Sequence, residues 1–352
     1  MSSSVFNHPF LSGLLGDEEL EAHFSAQSDI AAMLRFESAL AHGLADAGIV
    51  SEENASSAIT KIKDFAPDMD ALKNATARDG VVIPELVRQL KAACGDDSSA
   101  IHFGATSQDV IDTSLILRLR SCIEILEARL KSIDTIFQKL ITEHGEKPLM
   151  GRTRMQAALP VTIADRVNNW RIPLQHHLTR LNEIKPRLLL GQFGGAVGTL
   201  NKFDDNKASI IRSSLASELA IDFEKPNWHT KRDNLVEFSN WLSMVSGSIG
   251  KIGKDIVLMN QNELGELQLS GAGGSSAMPH KQNPVKAETL VTLAAFNAAQ
   301  ISAMHHTLVH EQERSGSAWT LEWMALPQMV ITTGNSLSTL EDLLNSIVTL
   351  GK

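Results

Sequence analysis

Three stretches of the sequence gather side chains suited to holding an anion and moving a proton. The fullest is SGAGGSSAMPHKQNP, from Ser270 to Pro284. Its glycines predict a mobile backbone, and Ser275, Ser276, His280, Lys281 and Asn283 supply hydroxyl, cation and amide groups. A plain connector has no use for such a set. A loop that closes over an anion would use all of it, backbone N–H groups included, because donors fixed where charge develops are a strong electrostatic aid to reaction.

The second stretch, HFGATSQD, places His102, Thr106, Ser107, Gln108 and Asp109 just ahead of a long helical pattern. Thr or Ser there caps the helix by satisfying N–H groups that lack an intrahelical partner; the same free N–H groups can receive a carboxylate. The third, MGRTRMQAALP, carries Arg152, Thr153, Arg154 and Gln156. A guanidinium fork matches a carboxylate in shape and charge, although two arginines in a loop are also ordinary surface charge.

Other chemistries find no foothold. No Glu is followed three residues later by His, as a di-iron bundle requires, and HExxH is absent. His306 and His310, with Glu313 nearby, read as a solvated or hydrogen-bonded helix face rather than metal ligands. There is no Walker loop, no GxGxxG turn opening a helix and no GxSxG elbow. Neither a metal nor any other cofactor is expected.

These groups need a rigid scaffold, and the pattern predicts long helices. From Asp109 to His144 there is no Pro or Gly, and Ile116, Leu119, Ile123, Leu126, Leu130, Ile133, Phe137 and Leu140 recur in alternating steps of three and four. That is the repeat of helices packed nearly parallel; the seam alone runs roughly 37 Å. It returns at Leu235, Phe238, Leu242, Val245, Ile249, Ile252, Ile256 and Met259, with Glu263 at the next position. Glu263 and Glu266, one helix turn apart, could orient a cation or simply end the seam with charge, and the structural role is favoured. Further helices are expected after Pro160, with a kink at Pro173, after Pro284, and from about Pro327 to Leu350. The first hundred residues hold shorter helices broken at Gly48, Pro67, Gly80 and Gly95. The expected class is all-α: a small helical domain (1–108) followed by a long-helix bundle (109–352) that self-associates to cover its apolar faces.

The formal net charge of −9, from 32 Lys plus Arg against 41 Asp plus Glu, argues against a nucleic-acid or anionic-membrane partner. Any anion must be met by a few placed cations. With two cysteines, Cys94 and Cys122, and no apolar run long enough to span a bilayer, a cytoplasmic setting is expected.

GSSAMPHKQNP, with Glu288 beyond it, resembles the signature of the fumarase/aspartase superfamily, and GATSQDVIDT and GRTRMQAALP are similar to its two other characteristic segments, in the same order. The resemblance implies a homotetramer around a bundle of long helices, each active site drawing the three segments from different subunits. It implies proton transfer alpha to a carboxylate through an aci-carboxylate, with Ser275 as the loop base. Lys281 and Asn283 would hold a carboxylate and the developing dianion, Ser276 and Met278 would line the substrate, and Thr106 and Ser107 would bind a carboxylate at the helix start. An ordinary serine hydroxyl is too weak a base, so loop N–H groups and a cation such as Lys281 must lower its pKa.

Within the superfamily, HFGATSQD, GQFGGAVGTL, WHTKRD and HEQERSGSAWTLEW resemble the carboxymuconate cycloisomerase branch. Arg154 stands where relatives have a histidine, and ARDGVVIP where the adenylosuccinate branch carries histidines. The branch implies a small polycarboxylate substrate with three carboxylates, one of which adds to a double bond of the same molecule. Arg152, Arg154, Arg232, Lys281, His229 and Arg314 are enough cations for it. For the proton donor, Ser275, His102 and His229 are the alternatives. Family members usually add a C-terminal domain, which is short or missing here.

Overall fold

The computed structural model describes residues 4–223, 225, 227–271, 273–274, 278 and 281–351. Helices dominate: α1 (Ser12–Leu15), α2 (Glu18–Ala22), α3 (Ala26–Asp46), α4 (Glu52–Lys63), α5 (Met69–Asp79) and α6 (Ile83–Cys94) lead through a 3-10 turn at Gly95–Ala100 to α7 (Ser107–His144). A hairpin of β1 (Pro148–Thr153) and β2 (Gln156–Thr162) precedes α8 (Ile163–Leu188), α9 (Asp205–Leu219) and α10 (Asp233–Met259). Then come β3 (Leu267–Leu269), α11 (Val285–His306), α12 (Ser317–Asn345) and β4 (Ile347–Leu350), the last pairing antiparallel with β3.

Every apolar position of both expected seams is buried. The 38 residues of α7 extend about 57 Å. Side-chain bonds between helices give their directions. Asp112 meets Trp319 and Ser132 meets Glu341, so α7 and α12 run the same way; Arg232 with Glu322 and Ser246 with Thr333 align α10 with them. Trp170–Asp255 and Arg187–Glu237 set α8 antiparallel to α10. Asn297 reaching Ser246, with Ala287 against Gly253, sets α11 antiparallel to α10 as well. The α3 helix packs on both α7 and α9, and one apolar core runs from Phe6 to Leu350.

Contact between α10 and α11 is close enough to demand glycine. A Cβ on Gly253 would lie 2.6 Å from the Ala287 carbonyl oxygen, a backbone atom that cannot rotate away. Although alanine is the better helix former, Gly253→Ala is expected to destabilise the protein by about 1–3 kcal/mol, measurable by urea unfolding.

The bounds of three helices differ from the sequence reading. Pro160 lies within β2; α8 begins at Ile163, capped by Thr162, whose side chain accepts from the Asp165 N–H. Pro173 lies inside that helix, as expected. The α12 helix starts ten residues before Pro327, and the chain closes as a strand. Finally, α10 stops at Met259, so Glu263 sits in the following turn rather than on the seam.

Candidate functional site

At the start of α7, Thr106 is the N-cap, and its N–H donates to Asp109 Oδ2 at 3.0 Å. Asp109 is wholly buried. Its carboxylate also accepts the N–H groups of Gly194 and Gly195 at 2.8 and 2.9 Å, while Oδ1 lies 2.8 Å from His229 Nε2. An acceptor so fully engaged by N–H groups is a carboxylate, so His229 donates through Nε2, leaving Nδ1 buried with no partner among the described residues. Gln108 donates to the His229 carbonyl at 2.8 Å and accepts from Arg314 Nε at 3.0 Å. Ser107 and the exposed Arg314 line a cleft of about 740 Å³ walled by Trp319 and Trp323. His102 stands just upstream, its ring on Glu37. His102, Thr106, Ser107, His229 and Arg314 are thus assembled at one end of the bundle.

Arg232 is a correction to the sequence reading. Its side chain is 0% exposed, and it donates to Asp112 at 2.7 and 3.1 Å and to Glu322 at 2.5 and 3.0 Å, with Trp228 stacked 4.7 Å away. Burial opposes the guanidinium charge, but the two carboxylates more than offset it and hold the arginine charged. Trp319 and Gln192 also donate to Asp112. Among the described residues Glu322 has Arg232 alone, and burial pushes its carboxyl up. A guanidinium consumed by two internal carboxylates has no charge left for a substrate. His306 and His310 are corrected too, since α11 ends at His306 and they do not share a helix face. Among the described residues no group of three His, Cys, Asp or Glu is placed to hold a metal.

The other candidates lie at the far end. Arg152 on β1 donates to Glu266 Oε1 at 2.7 Å, so Glu266 takes the cation-orienting role of its two expected ones. These two and Lys251, Asp255 and Arg166 line a cleft of about 850 Å³. Thr153 and Gln156 face each other across a two-residue turn made by Arg154 and Met155, both at positive φ (49° and 65°). Such turns ordinarily use Asn or Gly; here two long side chains accept the strained conformation and are exposed. From Glu266 the chain enters β3 and the loop beyond it, whose ends are tied by two hydrogen bonds between Gly273 and Asn283 (2.8 and 2.9 Å). A Cβ at Gly273 would strike Val285, which explains glycine there. Lys281 is exposed and donates its N–H to the Met278 carbonyl at 3.0 Å. Ser275, Ser276 and His280 lie outside the described residues.

Sequence reasoning passed over Glu37, Asp112 and Glu322, all buried. Glu37 did leave a trace, because it falls among Met33, Phe36, Leu40 and Leu44 on the apolar face of α3, where a carboxylate is out of place.

The profile of the lyase family matches residues 17–299. The chain belongs to that family. It is 36% identical over 325 residues to a 3-carboxy-cis,cis-muconate cycloisomerase from Pseudomonas aeruginosa, covering 90% of this chain and 71% of that protein. The crystal structure of 3-carboxy-cis,cis-muconate lactonizing enzyme from Pseudomonas putida superposes with a TM-score of 0.91 at 35% identity, covering 97% of this chain and 78% of that one. A fumarate lyase from Mesorhizobium sp. BNC1 gives 0.88 at 33%, covering 95% and 76%. The lyase fold and the fumarase/aspartase resemblance of the three motifs therefore agree. No helix among the described residues is long and apolar enough to cross a membrane.

Proposed function

We infer that this lyase-family chain is a cycloisomerase that converts 3-carboxy-cis,cis-muconate to 4-carboxymuconolactone. The observation that carries the reading is its likeness to muconate-lactonising enzymes over nine tenths of its length. Arg154 at the hairpin tip supports it, offering a cation for a trianion where a histidine would suit an amine-releasing reaction.

One substrate carboxylate adds to the double bond conjugated with another. The electron pair displaced from the double bond moves into that second carboxylate as an aci-carboxylate dianion, and protonation of the alpha carbon completes the lactone. Because the nucleophile is tethered, much of the catalysis is selection of a reactive conformer. In this reading Ser275 transfers the proton, and Lys281, Asn283 and His102 stabilise the dianion. Thr106 and Ser107 receive a carboxylate at the start of α7, while Arg152, Arg154, Thr153, Gln156, His229 and Arg314 position the rest beside Ser276 and Met278.

The site is shared between subunits of a homotetramer. Support comes from distance: HFGATSQD opens α7 and the hairpin follows its far end, about 57 Å away for a 38-residue helix. Met155 and Leu159 on the hairpin are 67% and 73% exposed, an apolar surface that a second subunit would cover. A cytoplasmic enzyme of protocatechuate breakdown, in the beta-ketoadipate pathway, fits this chemistry.

The test is turnover by purified protein without added metal or nucleotide. Loss of the diene absorbance, with lactone identified by NMR, is the expected result. Fumarate release from adenylosuccinate or another substituted succinate, with inertness toward carboxymuconate, would move the assignment to another lyase; inertness toward all of them would leave a helical scaffold.

A further inference from the structure

His102 has a partner that sequence spacing does not suggest. Glu37, on the apolar face of α3, is 1% exposed, and both its oxygens are spent on His102: Oε1 lies 2.7 Å from ring Nδ1, and Oε2 accepts the backbone N–H at 2.9 Å. A buried carboxylate is costly unless it is paired, and here one carboxylate fixes both the ring and the main chain of a single residue. That residue has φ of 59°, a left-handed conformation that non-glycine residues seldom adopt without a reason. With Nδ1–H given to Glu37, the outer nitrogen Nε2 has no partner among the described residues. The residue stands four positions before the helix start where Thr106 and Ser107 are placed.

On the reading of the chain as a carboxymuconate cycloisomerase, we propose that Glu37 is a positioning residue that holds His102 as an imidazolium, with Nε2–H presented to the dianion that forms during lactonisation. A neutral ring locked by Glu37 at Nδ1–H would turn a lone pair toward that dianion and repel it. A charged ring turns a proton toward it, and fixed donors of this kind act mainly on the transition state.

The groups around the ring favour the charged form. Burial works against it, but the charge and hydrogen bond of Glu37 outweigh burial; Asp109 on α7 adds to them and Lys91 on α6 opposes, leaving the His102 pKa above its ordinary value. The same pair stabilises the fold. That contribution is complete below the ordinary histidine value of about 6.5 and is lost as pH rises through the raised one.

Glu37→Gln tests this, since the amide can still accept one hydrogen bond but carries no charge. In wild type, kcat should fall as pH rises through the raised pKa. In Glu37→Gln that fall should come about one unit lower, so that kcat is near wild type at pH 6 and down about tenfold at pH 8, with KM within about twofold. His102→Gln should lack this limb, and adding Glu37→Gln to it should change nothing further. Superimposable pH profiles for wild type and Glu37→Gln would overturn the proposal, because a merely structural carboxylate would not move the limb.

The pH dependence of diethyl pyrocarbonate labelling of His102, read by peptide mass spectrometry, is independent of turnover and of whether the variant folds. Wild-type His102 should titrate above about 6.5; titration at or below that value overturns the proposal. Wild type that labels as expected yet is inert toward carboxymuconate would remove the functional reading, and the role in lactonisation with it, while leaving the charged pair established.

Discussion

Arg232→Leu is expected to cost about 3–5 kcal/mol of folding stability, seen as a lower urea midpoint and a lower melting temperature. The cause is what remains behind. Asp112 and Glu322 are both fully buried, and Arg232 supplies four of the hydrogen bonds that keep their charges tolerable. Asp112 would keep Trp319 and Gln192 as donors, whereas Glu322 would keep no donor among the described residues. The variant should therefore bind a proton at Glu322 or fail to pack. Arg232→Leu/Glu322→Gln should recover part of the loss, because the coupling between neighbours in one network is what the double substitution reads. Arg232→Lys restores a charge but not the planar fork that spans two carboxylates, and should fall between wild type and leucine. A substrate-binding arginine would behave otherwise, raising KM and leaving the melting temperature alone. That outcome would overturn the structural assignment.

Arg232 also marks where sequence reasoning stops. The residue type and its place in WHTKRD identify a cation but not its partners, which lie 120 and 90 positions away along the chain. Arg152 shows the same thing, with Glu266 114 positions off. Periodicity does better because it is local. The seams through α7 and α10 were readable because one face of each helix must be apolar along its whole length, and that condition is written every three or four residues. Element ends were weaker. A proline suits a first turn, which is why α12 was expected from Pro327, yet the helix begins at Ser317 and carries the proline inside. The Pro160 stretch folds back as a hairpin strand because the turn at Arg154 and Met155 reverses the chain.

The same contrast explains why the motifs point to one site while the single chain shows two ends. Motif order is fixed by sequence, but the 38-residue α7 separates the first motif from the second in space. In the proposed reading, association between copies joins them again. His102 and Arg314 at one end and Arg152 at the other are each held by internal partners, so each half is ordered before a second subunit arrives. Preorganised halves reduce the ordering that binding a flexible trianion must otherwise bring about.

Ser275→Ala should abolish most turnover while leaving the assembly folded. A serine hydroxyl near neutral pH is a poor base and a poor acid, so its use implies surroundings that stabilise the alkoxide; the sequence places Lys281 six residues on. Losing a positioned proton-transfer group typically costs about 10²–10⁴-fold. The loss should appear in kcat and kcat/KM together, with KM little altered, because the hydroxyl matters in the transition state more than in binding. Among the described residues, the ties that close the loop run through the backbones of Gly273 and Asn283. Circular dichroism and size exclusion should therefore match wild type. Lys281→Met provides the comparison: if the cation serves both the substrate carboxylate and the dianion, as proposed, its removal should raise KM as well as lower kcat. Near-normal kcat in Ser275→Ala would refute the serine as the proton-transfer group. It would shift that role to a histidine at the α7 end, such as His102, whose Nε2 has no partner among the described residues.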